Sequence, residues 1–196
     1  SVVPNAQAPS EWRVDVGGKQ CTQPYSASLL NISAMSFGSL SANAIMALNK
    51  GAAAGNFYHD TGEGGISRYH RSHGGDLVWE IGSGYFGCRT DDGSFDPDQF
   101  AQTAQDPQVK MVEIKLSQGA KPGHGGVLPG SKVTEEIAEA RGVPVGTDCI
   151  SPPAHSTFST PTGMLEWAAQ LRDLSGGKPV GIKLCVGKPH EVFAIM

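Results

Sequence analysis

Polar side chains that could bind a ligand gather in a glycine-rich loop over residues 117–130. Ser117, Gln118, Lys121 and His124 are its polar members, and five glycines and two prolines make up much of the rest. Glycine lets a backbone approach a ligand closely, and proline fixes φ, so such a loop is shaped but nearly bare of side chains. These residue types predict a ligand site with amide donors and one ammonium, although a solvated surface loop is the simpler interpretation.

Other polar candidates also stand just after apolar runs. Ser36 and Ser151 directly follow short apolar segments, Glu63 lies in the turn after residues 52–58, and the loop above follows residues 111–116, where apolar and polar residues alternate. A period of two is typical of a strand. Ligand sites lie at the carboxyl ends of the strands in parallel α/β folds. The positions therefore predict one shared site at one end of a parallel sheet.

The elements that must position these residues read as repeated βα units. We predict five parallel strands near residues 29–35, 54–59, 111–117, 145–150 and 180–186, separated by helices with Ser, Asp or Thr caps. No Gly-x-Gly-x-x-Gly turn follows the first strand, which favours a (β/α)8 TIM-type barrel over a dinucleotide-binding sheet. Eight units need about 250 residues. We therefore predict an α/β fold in which residues 29–196 form about the first five βα units, after an N-terminal extension over residues 1–28 with a hairpin near Trp12–Gly18.

The composition excludes several classes of partner. The net charge is −4 and no basic tract occurs, so neither nucleic acid nor an anionic membrane surface is predicted as a partner. No run is apolar and long enough to predict a membrane span. The four cysteines are widely spaced, which supports neither a metal site nor an iron–sulfur cluster. Reduced thiols of this kind predict a cytoplasmic location.

Five motifs occur in an order that is specific to one family. The chain resembles the FMN-binding synthase domain of glutamate synthases, including their stand-alone bacterial relatives, over about residues 29–186. The motifs that carry the resemblance are Ser33–Ser39, Thr61–Gly65, Gln118–Gly123, Leu128–Gly130 and Ile150–Pro153.

The resemblance implies where FMN binds. The backbone of Ala34, Met35 and Ser36 is expected to lie against the isoalloxazine ring, and Gln118 to hydrogen-bond its pyrimidine edge. Lys183 is expected near N1 and the C2 oxygen, where a reduced flavin carries negative charge. The phosphate of FMN in such barrels rests on loops after strands seven and eight. We therefore expect residues 1–196 alone to bind FMN weakly or not at all.

The resemblance also implies the reaction. Reduced flavin donates a hydride to 2-iminoglutarate, formed from 2-oxoglutarate and ammonia, and yields L-glutamate. Glu63 and Lys121 are the implied catalytic residues, and Lys121, Arg141 and Thr160 are the implied substrate-binding residues. The ammonia is free or derived from glutamine, and the motifs do not assign the electron donor. Val127 stands where the family pattern has a glutamine near the substrate.

Simpler interpretations of single residues stay open at this level. Lys183 could instead be an inward barrel lysine that pairs with a carboxylate. Arg141 could be a cation that complements a helix dipole, and Glu63 could be a solvated turn residue. Two other functions compete for the whole chain. One is a non-catalytic barrel fragment that needs a partner or a second copy, because unpaired strand edges favour association and a homo-oligomer. The other is a different FMN barrel oxidoreductase, such as a 2-hydroxyacid oxidase.

Overall fold

The computed structural model describes residues 12–120 and 123–195. Its strands are β1 (Arg13–Val16), β2 (Tyr25–Ser28), β3 (His59–Asp60), β4 (Leu77–Ile81), β5 (Val109–Lys115), β6 (Val127–Leu128), β7 (Cys149–Ile150) and β8 (Val180–Lys183). Its helices are α1 (Ala42–Gly55), α2 (Arg68–Arg71), α3 (Pro97–Ala104), α4 (Glu135–Arg141), α5 (Pro161–Leu174) and α6 (Pro189–Phe193). No helix among these residues is both long and apolar enough to cross a membrane.

A parallel sheet of four strands organises the chain. Its order is β3-β4-β5-β8, so neighbouring strands follow one another along the sequence and every pair is parallel. Short helices connect β3 to β4 and β4 to β5, whereas the connection from β5 to β8 contains β6, α4, β7 and α5. The α/β class and the parallel arrangement that the sequence predicts are confirmed.

One face of the sheet is apolar and packs against helices. Trp79, Ile81 and Ile114 on this face are at most 1% exposed, and they join Phe100 of α3 and Trp167 of α5 in the largest buried cluster. The Trp79 and Phe100 rings stack with centroids 5.2 Å apart. Burial of such large side chains stabilises the helix–sheet contact by roughly 1.5–3 kcal/mol for each one.

The opposite face carries charge toward its carboxyl end. Side chains alternate between faces along each strand, and the register pairs Glu80 with Glu113 and Lys115 with Lys183. Asp60 pairs with Val78, which precedes Glu80 by two residues, so Asp60 shares this face. At the amino end of the strands the same face is apolar instead, and the antiparallel hairpin β1–β2 covers it through Tyr25 and Ala27. The hairpin predicted near Trp12–Gly18 is therefore confirmed.

Three of the five predicted strand ranges are largely wrong, whereas 111–117 and 180–186 differ from β5 and β8 only at their ends. Within residues 29–35 the described backbone pairs only through a single bridge from Ile32 to His59. Residues 54 and 55 still belong to α1, because the alanine run continues that helix until Asn56 ends it in a left-handed conformation with φ 53°. The range 145–150 yields the two-residue strand β7, which pairs antiparallel with β6 outside the parallel sheet. The strand at the centre of the sheet with β5 is Leu77–Ile81, which is not among the five predicted ranges.

The helix starts follow their capping residues closely. Ser41, Asp96 and Thr160 cap α1, α3 and α5 as the sequence predicts, each accepting a hydrogen bond from a backbone N–H in the first turn. The cap of α4 is Thr134, since residues 130–132 form a 3-10 turn before the helix begins. A second core cluster forms between α1 and α4 around Ile45, and it supports the segment that carries Phe37.

Candidate functional site

A pocket opens at the carboxyl ends of the parallel strands. Its volume is about 300 Å³, at the lower end of the range typical of ligand pockets. The wall is built from the strand ends, the segment before α1, the ribbon β6–β7 and the end of α4. Seven predicted site residues meet there: Ala34, Met35, Ser36, Glu63, Gln118, Arg141 and Lys183.

The backbone of residues 34–36 is held rigidly in the pocket wall. The Met35 N–H donates to the Asp60 carbonyl at 3.1 Å. The Met35 carbonyl accepts from Nε2 of His70 at 2.9 Å, since Nδ1 of that ring accepts from the Ser67 N–H at 3.1 Å. Burial lowers the pKa of His70 to about 4, so the ring stays neutral and keeps this tautomer at neutral pH. Both polar groups of the Met35 backbone are therefore fixed.

Gly62 lets two backbone segments meet beside this wall. It has φ +68°, and a Cβ at this position would lie 2.7 Å from the Ser36 backbone nitrogen. Any side chain would push the turn after β3 away from residues 34–36, and a β-branched one would also be strained at this φ. The Thr61–Gly65 motif thus has a steric reason for glycine at its second position.

Glu63 is the centre of a polar cluster at one side of the pocket. Its Oε1 lies 3.0 Å from Nζ of Lys115, and the Ser151 hydroxyl donates to its Oε2 at 3.4 Å. A Cβ at Gly82 or Gly126 would lie 2.7 Å from one of the carboxylate oxygens. The carboxylate is therefore held between two glycines by an ammonium and a hydroxyl. Glu63 is not the freely solvated turn residue of the simpler interpretation.

Lys183 reaches into the pocket from the edge of the sheet and pairs with Glu80. Glu80 is 1% exposed, and burial raises the pKa of its carboxyl while the Lys183 charge partly offsets that effect. Burial alone would lower the pKa of the Lys183 ammonium, but the charge and hydrogen bond of Glu80 outweigh it and raise that pKa. The sequence allows Lys183 either a place in the ligand pocket or a pairing with a carboxylate. The two interpretations are compatible, because the side chain lines the pocket and also pairs with Glu80.

Two further carboxylates surround Glu80. One oxygen each of Asp60, Glu80 and Glu113 lie within 4.8 Å of one another. Burial raises the pKa of Asp60 well above its ordinary value, and the neighbouring Glu80 and Glu113 charges add to the effect. Three carboxyl groups therefore form the floor below the pocket. Among the described residues, the Lys183 ammonium is the cation that pairs with one of them, Glu80.

Arg141 is a buried cation that faces the pocket without a carboxylate partner among residues 12–120 and 123–195. Its guanidinium lies 5.0 Å from the Phe86 ring centroid, and Nη2 donates to the Phe37 carbonyl at 3.5 Å. Nε is buried and has no described partner. Burial lowers the pKa of the guanidinium, which nevertheless stays charged at neutral pH. Arg141 is also the last residue of α4, so the helix-dipole interpretation and a ligand role both fit its position.

The remaining predicted residues lie elsewhere. Gln118 is half-buried at the rim, just past the end of β5. Lys121 falls outside the described residues. Thr160 does not line this pocket: its hydroxyl accepts from the Gly163 N–H at 3.1 Å as the cap of α5.

Sequence reasoning missed two charged residues of the site, Lys115 and Glu80. Each occupies a strand position whose side chain shares a face with the predicted residues. The signal was a charge at alternate positions within otherwise apolar strands, which is costly unless the charge is paired. Their partners lie on other strands and could not be identified from spacing.

Known proteins resemble this chain over most of its length. A family described as a conserved region in glutamate synthase matches residues 12–196. A glutamate synthase large subunit-like protein of Bacillus subtilis is 44% identical over 186 residues, which is 92% of this chain and 35% of that protein. An archaeal-type glutamate synthase [NADPH] of Thermotoga maritima is 39% identical over 163 residues, 83% of this chain and 29% of that protein. An archaeal glutamate synthase [NADPH] of Archaeoglobus fulgidus is 37% identical over 164 residues, with the same 83% and 29% shares.

The chain thus spans about a third of the length of these curated relatives. The family match over residues 12–196 includes the sheet, the five motifs and the pocket residues described above. On this match, the chain belongs to the glutamate synthase family.

Proposed function

We propose that this chain is the N-terminal portion of an FMN-binding (β/α)8 barrel that makes L-glutamate. The strand order supports a barrel, because β3-β4-β5-β8 runs in sequence order and has no point at which the order reverses. Helices α3 and α5 both pack on one face of the sheet, as in the outer ring of a barrel. A doubly wound sheet would instead carry helices on both faces.

The described residues fit FMN at the pocket. The backbone of residues 34–36 is fixed by hydrogen bonds, and Gly62 packs closely behind it because glycine has no side chain. Such a fixed backbone surface suits a flat ring. Lys183 supplies a cation at the pocket floor, and the Gln118 amide offers both a donor and an acceptor at the rim. When bound, FMN would supply the hydride for reduction, and a fixed cation near its N1 favours the reduced form.

Arg141 is the proposed anchor for a substrate carboxylate. Its side chain lines the pocket as a buried cation without a carboxylate partner among the described residues, and Arg can bind a carboxylate through two parallel hydrogen bonds. A dicarboxylate such as 2-oxoglutarate needs a second cation. Lys121 has that role by resemblance, whereas a substrate contact by Thr160 stays a prediction from resemblance alone.

Glu63 is the proposed proton-transfer group. Reduction of the imine carbon by hydride requires one proton at the nitrogen, and a carboxyl group within hydrogen-bond reach can hold it. Lys115 and Ser151 would keep the Glu63 carboxyl in one orientation while the proton moves. Ammonia, free or derived from glutamine, is the proposed nitrogen source.

The observation that carries the proposal is that Glu63 and three cations, Lys115, Arg141 and Lys183, line one pocket at the carboxyl end of the parallel sheet. The test uses a full-length protein that contains this chain, with its flavin reduced under anaerobic conditions. Addition of 2-oxoglutarate and ammonium should reoxidise the flavin and form L-glutamate. Arg141→Lys should raise the KM for 2-oxoglutarate at least tenfold, because one ammonium cannot replace a bidentate guanidinium. Arg68→Lys, which changes an exposed arginine, is the matched control.

Two results would refute this assignment. Reoxidation by a different 2-oxo or 2-hydroxy acid, without glutamate from 2-oxoglutarate, would favour another FMN oxidoreductase. A protein that holds no flavin in the pocket would favour a non-catalytic role.

A further inference from the structure

Two lysines that would repel one another stand side by side at the floor of the pocket. Lys115 on β5 and Lys183 on β8 are register partners, so their side chains leave the same face of adjacent strands. Like charges directly opposite each other on adjacent strands are destabilising. Nevertheless, each ammonium has its own carboxylate: Lys115 pairs with Glu63, and Lys183 pairs with Glu80.

The Glu80 pair crosses a strand. Glu80 lies on β4 and Lys183 on β8, with β5 between them, and Lys183 is two residues beyond Gly181, the register counterpart of Glu80 across β5. Two strand spacings and two residues along the strand separate the two Cα atoms by roughly 12 Å. The lysine must therefore lie over β5 and toward the middle of the sheet to reach Glu80. The direction of the lysine stem is set by the partner at its far end.

The surroundings of Glu80 favour this lysine over other partners. Glu80 is 1% exposed, and Asp60 and Glu113 carboxyl oxygens lie within 4.8 Å of it. A buried carboxylate beside two others is costly without a cation, and Lys183 donates directly to its Oε2. The side chains of Lys115 and Glu63 complete the charged groups of this floor, and they are engaged with each other.

We propose that Glu80 is a positioning residue that acts through Lys183, holding its ammonium charged and in one place at the pocket floor. The link from Lys183 to the flavin rests on the proposed function. The link from Glu80 to Lys183 does not, and it can be measured without any cofactor.

The first measurement uses the 196-residue chain without FMN. The pKa of Lys183 is followed by NMR of a protein with ¹³C-labelled lysine side chains, with the signal assigned through Lys183→Arg. In Glu80→Gln, which keeps the shape and removes the charge, the Lys183 pKa should fall, because burial is then opposed only by the smaller effects of Asp60 and Glu113. Glu80→Asp should preserve most of the raised pKa. Glu136→Gln, which breaks an exposed ion pair with Arg68, should leave it unchanged.

The second measurement uses the full-length protein with bound FMN. Glu80→Gln should change the reduction potential of the flavin, and the change should disappear when Lys183 is already Met, because Glu80 acts through that lysine. An unchanged Lys183 pKa in a folded Glu80→Gln chain would overturn the proposal, as would equal flavin shifts with and without Lys183. If FMN binds to neither protein, the proposed function fails, while the pKa measurement still decides the role of Glu80.

Discussion

At the scale of residues, the site depends on which carboxylate each lysine meets. Lys115 holds the side chain of Glu63, the proposed proton-transfer group, whereas Lys183 is drawn over the sheet by Glu80. Two lysines on adjacent strands can therefore have different roles in one pocket. The distinction cannot be made from residue type, because it depends on ion pairs between residues far apart in the chain.

Substitution of the two predicted lysines should separate flavin tuning from substrate binding. In the full-length protein, Lys183→Met should lower the potential of bound FMN, because the reduced flavin loses a cation in a site of low dielectric. Lys121→Met should leave the potential nearly unchanged and weaken 2-oxoglutarate binding by about 2–5 kcal/mol if that ion pair is buried. Redox and ligand titrations of both variants provide the measurement. Reversed effects would swap the two roles, and no effect in either variant would make both lysines structural.

Sequence reasoning found residues that follow strand ends better than it found their partners. A family motif marks Glu63, a strand position marks Lys183, and the family resemblance implies Arg141; the structure brings all three to one pocket. Lys115 and Glu80 were missed because each looks like an ordinary charge in a short strand. Glu80 and its partner are 103 residues apart, and only the parallel register places them on one face.

At the scale of elements, the two-residue strand β3 contributes His59 to a buried histidine pair. His59 and His70 are each 0% exposed, and their ring centroids lie 5.2 Å apart. Neither nitrogen of His59 has a partner among the described residues. Burial, together with repulsion from the His70 ring when that ring is protonated, lowers the pKa of His59 to about 4. The connection that fixes Met35 is therefore built around neutral imidazoles.

This pair should make the fold sensitive to acid. Between pH 6.5 and 4 these two histidines are protonated in the unfolded chain but remain neutral in the folded chain. The free energy of unfolding therefore falls as the pH falls. From pH 7 to 5, each buried histidine should contribute about 2 kcal/mol to the loss. Urea unfolding at several pH values should give a smaller loss for His59→Leu than for the unmodified chain. His190→Gln, which changes an exposed histidine of α6, should keep the full loss; equal losses in all three proteins would contradict the assignment.

Strand prediction failed where strands are short. β3, β6 and β7 have two residues each, too few to show any period of hydrophobicity. Residues 145–150 look like a barrel strand, but Gly146 turns with φ +73° and β7 folds back onto β6 as an antiparallel ribbon. The Leu77–Ile81 segment is strand-like in sequence but is not among the five predicted strands. It is buried at every position, so it lacks the alternation that identified β5. Capped helices were predicted well because a cap is a local feature of sequence.

At the scale of the whole molecule, the two faces of the parallel sheet differ, and this difference supports the proposed site. One face is apolar and covered by helices, and the other presents charged side chains at the carboxyl ends of the strands. This arrangement is what a barrel interior with a ligand at its carboxyl end requires. Since the chain spans about a third of its curated relatives, the remaining wall and the phosphate loops of such a barrel are proposals for a longer protein.

Titration of FMN, followed by the quenching of its fluorescence, tests whether this pocket is a flavin site. We expect a full-length protein that contains this chain to bind FMN, and the 196-residue chain to bind it weakly or not at all. In the full-length protein, Gly62→Val should weaken binding at least tenfold, since the new side chain would displace residues 34–36. The exposed Gly51→Ala, where a Cβ meets nothing within 4 Å, should bind as the unmodified protein does. Absence of FMN binding by the full-length protein, or equal binding by the Gly62→Val protein, would contradict the account.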